Sequence, residues 1–573
     1  MKVSDYIVQF LIDKGVTDLW GYPGGSVTNL TNSLYKRSKE ISAHVVYHEQ
    51  AAGFAACAYA NRNENVGIAY ATGGPGATNM MTAIGHAYYD SIPVIFLTGN
   101  VNTYESKGDF KIRQRGFQES DIVSVAYPLT KLSIYVEKPE KIKYYLEKAF
   151  FYAMNGRQGP VLIDLPMDVL RADVDISIIE GYQNEQRQDA RSVDIVDGFK
   201  DCVQNAISTS KYPCLLLGNA LKKSSLYHKL KEMIEYMGIP YVTSMIAFDV
   251  IEHNEKYCGF IGAYGIRAAN IILSKSDLVI SLGSRIDQRQ SGAIRENFAK
   301  NAKIIRVDID EGELSYTVHN NELSFCMDVR DAVNALLNIE INNKYLEWTH
   351  KCHTIKRKLY KLDDTLPTQF IRELSKYIPE KTIVTTDVGQ NMIWVPQAFT
   401  VKKEQKFMFS GGMGAMGHAL PSAIGACYPL GYKNVICICG DGGFQMNIQE
   451  LQYIYREQIP VKIIVVNNFS LGMIRHFQEM YFDNVFFQTT ERGGYTVPNF
   501  SNIAEAYGIR GRVVTDIAQL KDLKQELHDD KPLLVEIRIF ADTYVKPKLE
   551  YGKPNYDQQP LLDRELLKEL MEL

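Results

Sequence analysis

The chain lacks the patterns that mark several large classes of protein. Its nine cysteines are an odd number, scattered through apolar runs such as the one holding Cys437 and Cys439, and no CxxC pair occurs. That argues against a zinc site or a disulfide framework and for the reduced thiols of a cytoplasmic protein. No run approaches the ~20 apolar residues that a membrane span needs. Nor does any block of basic residues offer nucleic acid a footprint: 63 Lys and Arg against 67 Asp and Glu leave a formal net charge of −4. The stretch "LLLGNALKKSS" lacks the GxGxxG of an NAD-binding Rossmann enzyme. The opening "MKVSDYIVQFLIDKG" spaces Val3, Ile7 and Phe10 or Leu11 at helical intervals with polar residues between. This predicts an amphipathic helix, not the apolar core of a secretory signal.

What is present is a long α/β pattern. A chain of 573 residues exceeds one core, and a prior of ~150 residues per domain gives three or four. The runs "VGIAYAT", "PVIFLTG", "PCLLLGN", "DLVISLGS", "KIIRVDID", "TIVTTDVG", "VICICGDG" and "VKIIVVNN" recur with helical intervals between them. They are apolar on both faces and end in Gly, Asp, Asn, Ser or Thr, as buried parallel strands do. Doubly wound parallel sheets follow, with ligands expected at the carboxyl ends of the strands. The polar stretches 180–192 and 342–367 are candidates for linkers or peripheral helices.

Two segments repeat a pattern. From Gly73 and again from Gly440, a Gly-rich turn opens a helix, Ile-Pro-Val follows nineteen positions later at Ile92 and Ile459, and a strand then ends in Gly-Asn or Asn-Asn. Either a common strand start has occurred twice, or the first and last thirds share one fold and the middle third differs.

In "VICICGDGGFQMNIQ" a carboxylate, Asp441, stands between Gly440 and the pair Gly442 and Gly443. Glycines after a strand let backbone N–H groups approach an anion, and the following helix points its positive end there. An acid beside a phosphate requires a divalent cation between them. Some 26 residues later the next strand ends in Asn467 and Asn468. Neighbouring parallel strands end at one edge, so an Asn oxygen reaches the same ion. Asp441, Asn468, a main-chain carbonyl near Ser470, two phosphate oxygens and a water would complete the six oxygens of Mg²⁺.

This Gly-Asp-Gly, 24 residues, Asn-Asn arrangement resembles the signature of thiamine-diphosphate enzymes. "WGYPGGSV", "YHEQAAGFAACAYA", "GGPGATN", "GFQESDIV", "GPVLIDLP", "TDVGQN", "SGGMGAMGHALPSAIGA" and "NNFSLGMI" fall in the order of the acetolactate synthase large-subunit branch. The resemblance implies three doubly wound domains: pyrimidine-binding at 1–180, central nucleotide-binding at 190–345 and diphosphate-binding at 360–545, with a tail at 546–573. It also implies a carboligase that decarboxylates a 2-oxo acid such as pyruvate and passes the two-carbon unit to a carbonyl acceptor. A non-ligating decarboxylase and a catalytically silent binding or regulatory relative are the alternatives.

The resemblance assigns roles residue by residue. Glu49 matches the acid that hydrogen-bonds the cofactor's pyrimidine nitrogen and drives its tautomerisation; read alone, it would be a helix N-terminal partner. Met416 matches the apolar wedge that bends the cofactor. Gly24, Gly25, Thr72, Gly76 and Asn79 fall on the pyrimidine side. Asp387, Gly389, Gln390, Asn391 and Gly414 would line the cofactor site, and Gly440, Gly442 and Gly443 would cradle its diphosphate. Ser470, Leu471, Gly472 and Met473 follow the metal-binding Asn468. Gly116, Phe117, Gln118 and Glu119 match the acceptor-side loop, Phe117 packing on substrate and Gln118 orienting the intermediate. Lys131 matches a channel lysine, with a solvated surface lysine as its alternative. The adjacent His pair of simple pyruvate decarboxylases is missing, and Glu49 excludes the glyoxylate carboligase variant.

Departures narrow the expectation. The synthases carry a Trp in a Gln-Trp-Gln segment after the Asn pair; here "RHFQ" puts Phe477 in its place. A smaller ring removes surface from the pocket wall, so the acceptor need not be pyruvate, and a keto-sugar is one candidate. "GFIGAYGIRAAN", "SLGSRIDQRQSG" and "RVDIDEGEL" resemble FAD-contacting segments, with Gly218, Arg285, Arg289 and Asp308 as candidate ligands. Tyr264 stands where the pattern has His and Gln288 where it has Asp, so ADP or no nucleotide are the alternatives to FAD. The resemblance further implies a homodimer or homotetramer, with Glu49 and Asp441 contributed by different subunits, and allows a small regulatory subunit.

Overall fold

The computed structural model describes residues 1–183, 191–341, 345–428 and 434–573. The expected linker at 180–192 lies largely outside the described residues, as does the start of the one at 342–367. The opening residues form the expected helix, Val3–Asp13, with Val3, Ile7, Phe10 and Leu11 buried.

Three six-stranded sheets follow in chain order. The first holds Asp18–Tyr22 (β1), Ser42–Val45 (β2), Gly67–Ala71 (β3), Val94–Asn100 (β4), Leu132–Tyr135 (β5) and Val161–Pro166 (β6), in the order β2-β1-β3-β4-β6-β5. The second holds Pro213–Leu217 (β7), Tyr241–Thr243 (β8), Tyr257–Phe260 (β9), Leu278–Leu282 (β10), Lys303–Asp308 (β11) and Glu322–Cys326 (β12), in the order β12-β11-β10-β7-β8-β9. The third holds Ile383–Thr386 (β13), Lys406–Met408 (β14), Val435–Gly440 (β15), Val461–Asn467 (β16), Arg510–Val514 (β17) and Leu533–Arg538 (β18), in the order β14-β13-β15-β16-β18-β17. Every strand pairing in them is parallel.

Counted within its own sheet, the first order reads 2-1-3-4-6-5, and so does the third. The middle sheet, read from β9, is 3-2-1-4-5-6, the order of dinucleotide-binding folds. The repeat at Gly73 and Gly440 therefore reflects one fold used twice around a different one. Central strands β4 and β16 are buried at every position, which is why they read as continuous apolar runs.

The outer domains share a core. Helix Glu49–Asn63 is Ala-rich and buried on nearly all sides, and helix Ala419–Ala426 of the third domain packs across it. Small residues permit the approach: a Cβ on Gly425 would fall 2.0 Å from Ala55 O, and on the helix's other side one on Gly67 of β3 would fall 2.1 Å from Ala56 O. The middle domain has its own core, which helix Leu346–Lys358 joins through Trp348, Cys352 and Ile355. That helix lies within the stretch 342–367 read from the sequence as a linker or peripheral helix. The last helix, Arg564–Glu572, returns to the same core through Leu570. All nine cysteines are free thiols. No helix among the described residues is long and apolar enough to cross a membrane.

Candidate active site

The end of β15 presents the glycine turn. Asp441 begins a helix of only five residues, Asp441–Gln445, and a 3-10 turn, Ile448–Glu450, separates it from helix Leu451–Glu457. The helix expected to aim its dipole at the site is only five residues long. Asp441 is almost wholly buried; its Oδ1 accepts from Gly442 N at 2.9 Å and its Oδ2 from Ser470 N at 3.1 Å. Burial pushes its pKa up to about 7 against those two hydrogen bonds. The second bond ties the tip of β15 to the loop after β16, its neighbour in the sheet.

Asn467 and Asn468 divide their work. Asn467 is structural: its Nδ2 donates to Glu536 Oε1 at 2.8 Å and its Oδ1 accepts from Phe469 N at 2.9 Å. Asn468, also buried, donates Nδ2 to Gln390 Oε1 at 2.9 Å, which turns its amide and leaves its oxygen to other partners. Gln390 is anchored in turn on Thr543 O at 2.9 Å. Gly472 has to be glycine here, since a Cβ would stand 2.0 Å from Gln390 Oε1 and 2.7 Å from Asn468 Nδ2. Ser470 Oγ bonds Thr489 O at 2.8 Å and Ser470 O accepts from Gly472 N at 2.8 Å, so the loop is held on both sides.

Above the turn, a Cβ on Gly442 would lie 2.7 Å from Leu471 Cδ2, 3.2 Å from the Tyr495 hydroxyl and 3.3 Å from Met416 Cε. Met416 is thereby brought over the glycine turn. The sequence pattern missed Tyr495, whose buried hydroxyl faces Asp441 and works against the rise of that carboxyl's pKa; nothing in "GGYTV" marks it. Asp387 serves the same region from behind. Its carboxylate accepts from Val388 N, Gly417 N and Ala419 N at 2.8, 2.9 and 3.1 Å, and burial raises its pKa to about 6. It clamps the loop that carries Met416. Asn391 Nδ2 bonds Asp387 O at 2.7 Å. Gly389 and Gly414 supply positive-φ turns, at +143° and +68°. Met473 packs on the outer core of the third domain.

The first domain builds a second cluster at the carboxyl ends of its strands. Glu49 opens helix Glu49–Asn63, whose N-cap is the His48 ring accepting from Gln50 N at 3.1 Å. Its Oε2 accepts from Asn79 Nδ2 at 2.9 Å, and its Oε1 lies 3.1 Å from where a Gly76 Cβ would be. Thr72 packs against both Gly24 and Gly76 and bonds Ser26 Oγ at 2.9 Å. Gly25 opens the next 3-10 turn over free space. Gln118, at φ +65°, lies against Gly74 with its carbonyl 3.0 Å from that glycine's would-be Cβ. Phe117 is 86% exposed. Glu119 is used internally. Burial works to raise its pKa, but hydrogen bonds from Arg115 N, Lys107 N, Ser106 Oγ and Gly116 N hold it below the ordinary carboxylate value.

Lys131 is not brought to this cluster. It precedes β5, at the amino ends of the strands, and donates Nζ to Asn155 O at 2.7 Å. Burial lowers its pKa to about 8. In a parallel sheet the two ends are a strand length apart, so within one chain Lys131 stands opposite the edge that carries Glu49 and Gln118. No hydrogen bond among the described residues joins the Glu49 cluster to the Asp441 cluster. The nearest link is Asn447 Nδ2 to Gln50 Oε1 at 3.1 Å.

A cavity of about 590 Å³ opens at the middle sheet. At the switch point between β7 and β10 it is lined by Asn219, Ala220 and Gly283; Gly218 is not in the lining and packs against Gly283, whose O would stand 1.9 Å from a Gly218 Cβ. Arg285, Arg289, Asp308 and Tyr264 also line the cavity. Arg285 Nε pairs with Glu313 at 3.0 Å, and Asp308 has its pKa raised by burial. The site suits a nucleotide: glycine turns at a switch point, with cations beside it.

The donor set at Asp441 fits a hard divalent cation only in part. Among the described residues no group of three or more His, Cys, Asp or Glu side chains could hold a metal. One buried carboxylate and one amide oxygen require a ligand that brings further oxygens of its own.

Three segments match descriptions of thiamine pyrophosphate enzymes: the N-terminal TPP-binding domain over residues 1–125, the central domain over 201–336 and the C-terminal TPP-binding domain over 387–537. The acetolactate synthase large subunit of Cyanidium caldarium is 33% identical over 572 residues, covering 96% of this chain and 95% of that protein. The acetolactate synthase large subunit of Lactococcus lactis subsp. lactis is 32% identical, covering 96% and 94%. That of Corynebacterium glutamicum is 33% identical, covering 98% and 90%.

Proposed function

The chain belongs to the thiamine pyrophosphate enzyme family, in its acetolactate synthase-like branch, and from that premise we propose how its own residues carry out decarboxylation and carboligation. It is a thiamine-diphosphate-dependent enzyme that decarboxylates pyruvate and transfers the two-carbon unit. When bound, the cofactor supplies the nucleophilic carbon and the electron sink for loss of carbon dioxide. Asp441 and Asn468 would hold the Mg²⁺ that neutralises its diphosphate, with Ser470 providing main-chain oxygen. Gly440, Gly442 and Gly443 would let the backbone close on it. Met416 would support it from beneath. Glu49, with Oε2 occupied by Asn79, would offer Oε1 for proton exchange with the cofactor's pyrimidine ring. Gln118 and Phe117 would meet the substrate.

The observation that carries this reading is the pairing of Asp441 with the Asn468–Ser470 loop across adjacent strand tips, beneath Met416 and Leu471. Incubating the protein with pyruvate, thiamine diphosphate and Mg²⁺ and following carbon dioxide and coupled product by mass spectrometry tests it.

The acceptor is open to a compound other than pyruvate. Phe477 is half-exposed on helix Gly472–Tyr481, near Tyr481 and Phe482 with ring centroids 4.7 and 6.0 Å away, and Lys548 Nζ lies 5.8 Å over its ring. A cation from the C-terminal segment beside an apolar wall favours a polar or anionic carbonyl acceptor. Acetolactate formation at the rate of a biosynthetic synthase, with no better acceptor in a carbonyl panel, would count against this.

The middle cavity is assigned to FAD, with ADP as the competing occupant; a flavin spectrum of the purified protein decides between them. Exposed Phe117, Ile474, Phe477, Phe482 and Phe487 around the strand ends support a homodimer or homotetramer in which Glu49 of one copy serves Asp441 of another. Relatives named as large subunits support a small regulatory partner. Nine unpaired thiols support a cytoplasmic location.

A further inference from the structure

Each outer domain grips the other by one carboxyl group, and the two grips stand on the same crossover of the repeated fold, Glu450 midway along it and Asp90 near its end. Glu450 stands on the crossover from β15 to β16 and is fully buried. Its Oε1 accepts the N–H of Tyr47 at 3.0 Å, in the loop between β2 and helix Glu49–Asn63, and the His48 N–H acts on the same carboxylate. Asp90 stands on the crossover from β3 to β4. Its Oδ1 accepts Gly411 N at 3.1 Å and Gly412 N at 2.9 Å, in the loop between β14 and helix Ala419–Ala426. In both cases an acid between the third and fourth strands of one domain holds the loop after the second strand of the other.

The gripped loops are the ones that matter for the chemistry. The first delivers Glu49, two residues beyond Tyr47. The second delivers Met416, and its path is tightened further: His86 Nδ1 lies 3.0 Å from Asp90 Oδ2 and 3.1 Å from Ser410 Oγ, while Ser410 Oγ accepts from Ala415 N at 3.0 Å. Gly412 passes so close to the first domain that a Cβ would fall 2.7 Å from Tyr89 Cβ.

Packing alone does not call for these acids. A buried carboxylate costs desolvation, and Glu450 leaves Oε2 buried with no hydrogen-bond partner. What the side chain gives in return is an oxygen that accepts a backbone N–H from the other domain in a definite direction, which an apolar residue of the same volume does not.

We propose that Glu450 and Asp90 are reciprocal positioning residues, each fixing from the opposite domain of the same chain the loop that carries Glu49 or Met416. The proposal rests on the roles given above to those two residues. Glu450 borders no ligand site described above, while Asp90 also borders the middle cavity; each acts on the chemistry through a loop, and a displacement of ~1 Å at a reacting group costs on the order of 100-fold in rate.

Backbone hydrogen exchange on the full chain, read beside kcat and KM for pyruvate, tests this with Glu450→Ala, Asp90→Ala and the conservative Glu450→Gln. Exchange is expected to rise around residues 45–50 only in the first variant and around 410–416 only in the second. Turnover should fall about 10- to 100-fold in both, with KM for pyruvate unchanged, and Glu450→Gln, which keeps an acceptor for Tyr47, should recover most of it. If an alanine variant fails to fold, Glu450→Met fills the volume without accepting the N–H and takes its place. Unchanged kcat in the alanine variants overturns the proposal, and so does a rise in exchange spread over the whole chain. If the unaltered protein does not turn over pyruvate, the functional reading fails, and the localised exchange pattern still decides whether the two grips exist.

Discussion

Asn79 donates to Glu49 Oε2 at 2.9 Å, while Gly76 leaves Oε1 lying over bare backbone 3.1 Å from where its Cβ would be. One oxygen is oriented and the other is left for proton exchange. Glu49→Gln should therefore abolish turnover while thiamine diphosphate affinity stays within about tenfold, because the acid works on a proton more than as an anchor. Steady-state kinetics and calorimetric titration of the cofactor check both halves.

Gln390 orients Asn468 and is itself tied to Thr543. Removing it frees the amide to turn. Gln390→Ala is expected to weaken Mg²⁺ binding about 10- to 100-fold, the usual effect of losing a partner that orients a metal ligand. Titration of Mg²⁺ at fixed cofactor concentration measures it, and Gly472→Ala, which drives a Cβ into the same contact, should act in the same direction.

How much of this was legible beforehand depends on where the information lies. The strand tips at Asp441 and Asn468 were readable because glycine, acid and amide at fixed spacing are local signals, and the repeat at Gly73 and Gly440 foretold two like sheets. Interdomain contacts were not readable. Glu450 and Asp90 lie 403 and about 321 residues from the loops they hold, and no local pattern distinguishes them from surface acids. Lys131 shows the converse, a match in sequence that the strand direction places at the other end of the sheet. Asp387 was found as a site residue, but its use as a backbone clamp depends on Gly417 and Ala419, which only folding brings to it.

Glu450 also makes a statement about stability against pH. Burial raises its folded pKa to about 8 from an ordinary value of 4.5. Between those two values the folded protein binds more protons than the unfolded one, so this group's contribution to stability falls as pH rises, by up to about 1.4 kcal/mol per pH unit. Below 4.5 it contributes nothing. His418, whose pKa burial lowers to about 3 from 6.5, has the opposite slope between those values. Comparing Glu450→Gln with the unaltered protein by urea unfolding isolates the first effect. The variant should gain stability relative to the unaltered protein as pH is raised from 5 to 8.

Phe477 and Lys548, whose Nζ lies 5.8 Å over the ring, would form one wall of the acceptor side. Phe477→Trp is expected to raise the share of acetolactate among the products from pyruvate plus mixed carbonyl compounds, since a larger ring adds apolar surface for a small acceptor. Lys548→Ala should lower the use of an anionic acceptor without changing carbon dioxide release in its absence. Product ratios by mass spectrometry read both.

The most direct measurement is calorimetric binding of thiamine diphosphate to the intact protein with Mg²⁺ and with a chelator, repeated on Asp441→Ala. The account predicts tight binding only when Mg²⁺ is present, and its loss in the variant. Equal affinity with the chelator, or in Asp441→Ala, would contradict a metal-bridged diphosphate between β15 and β16.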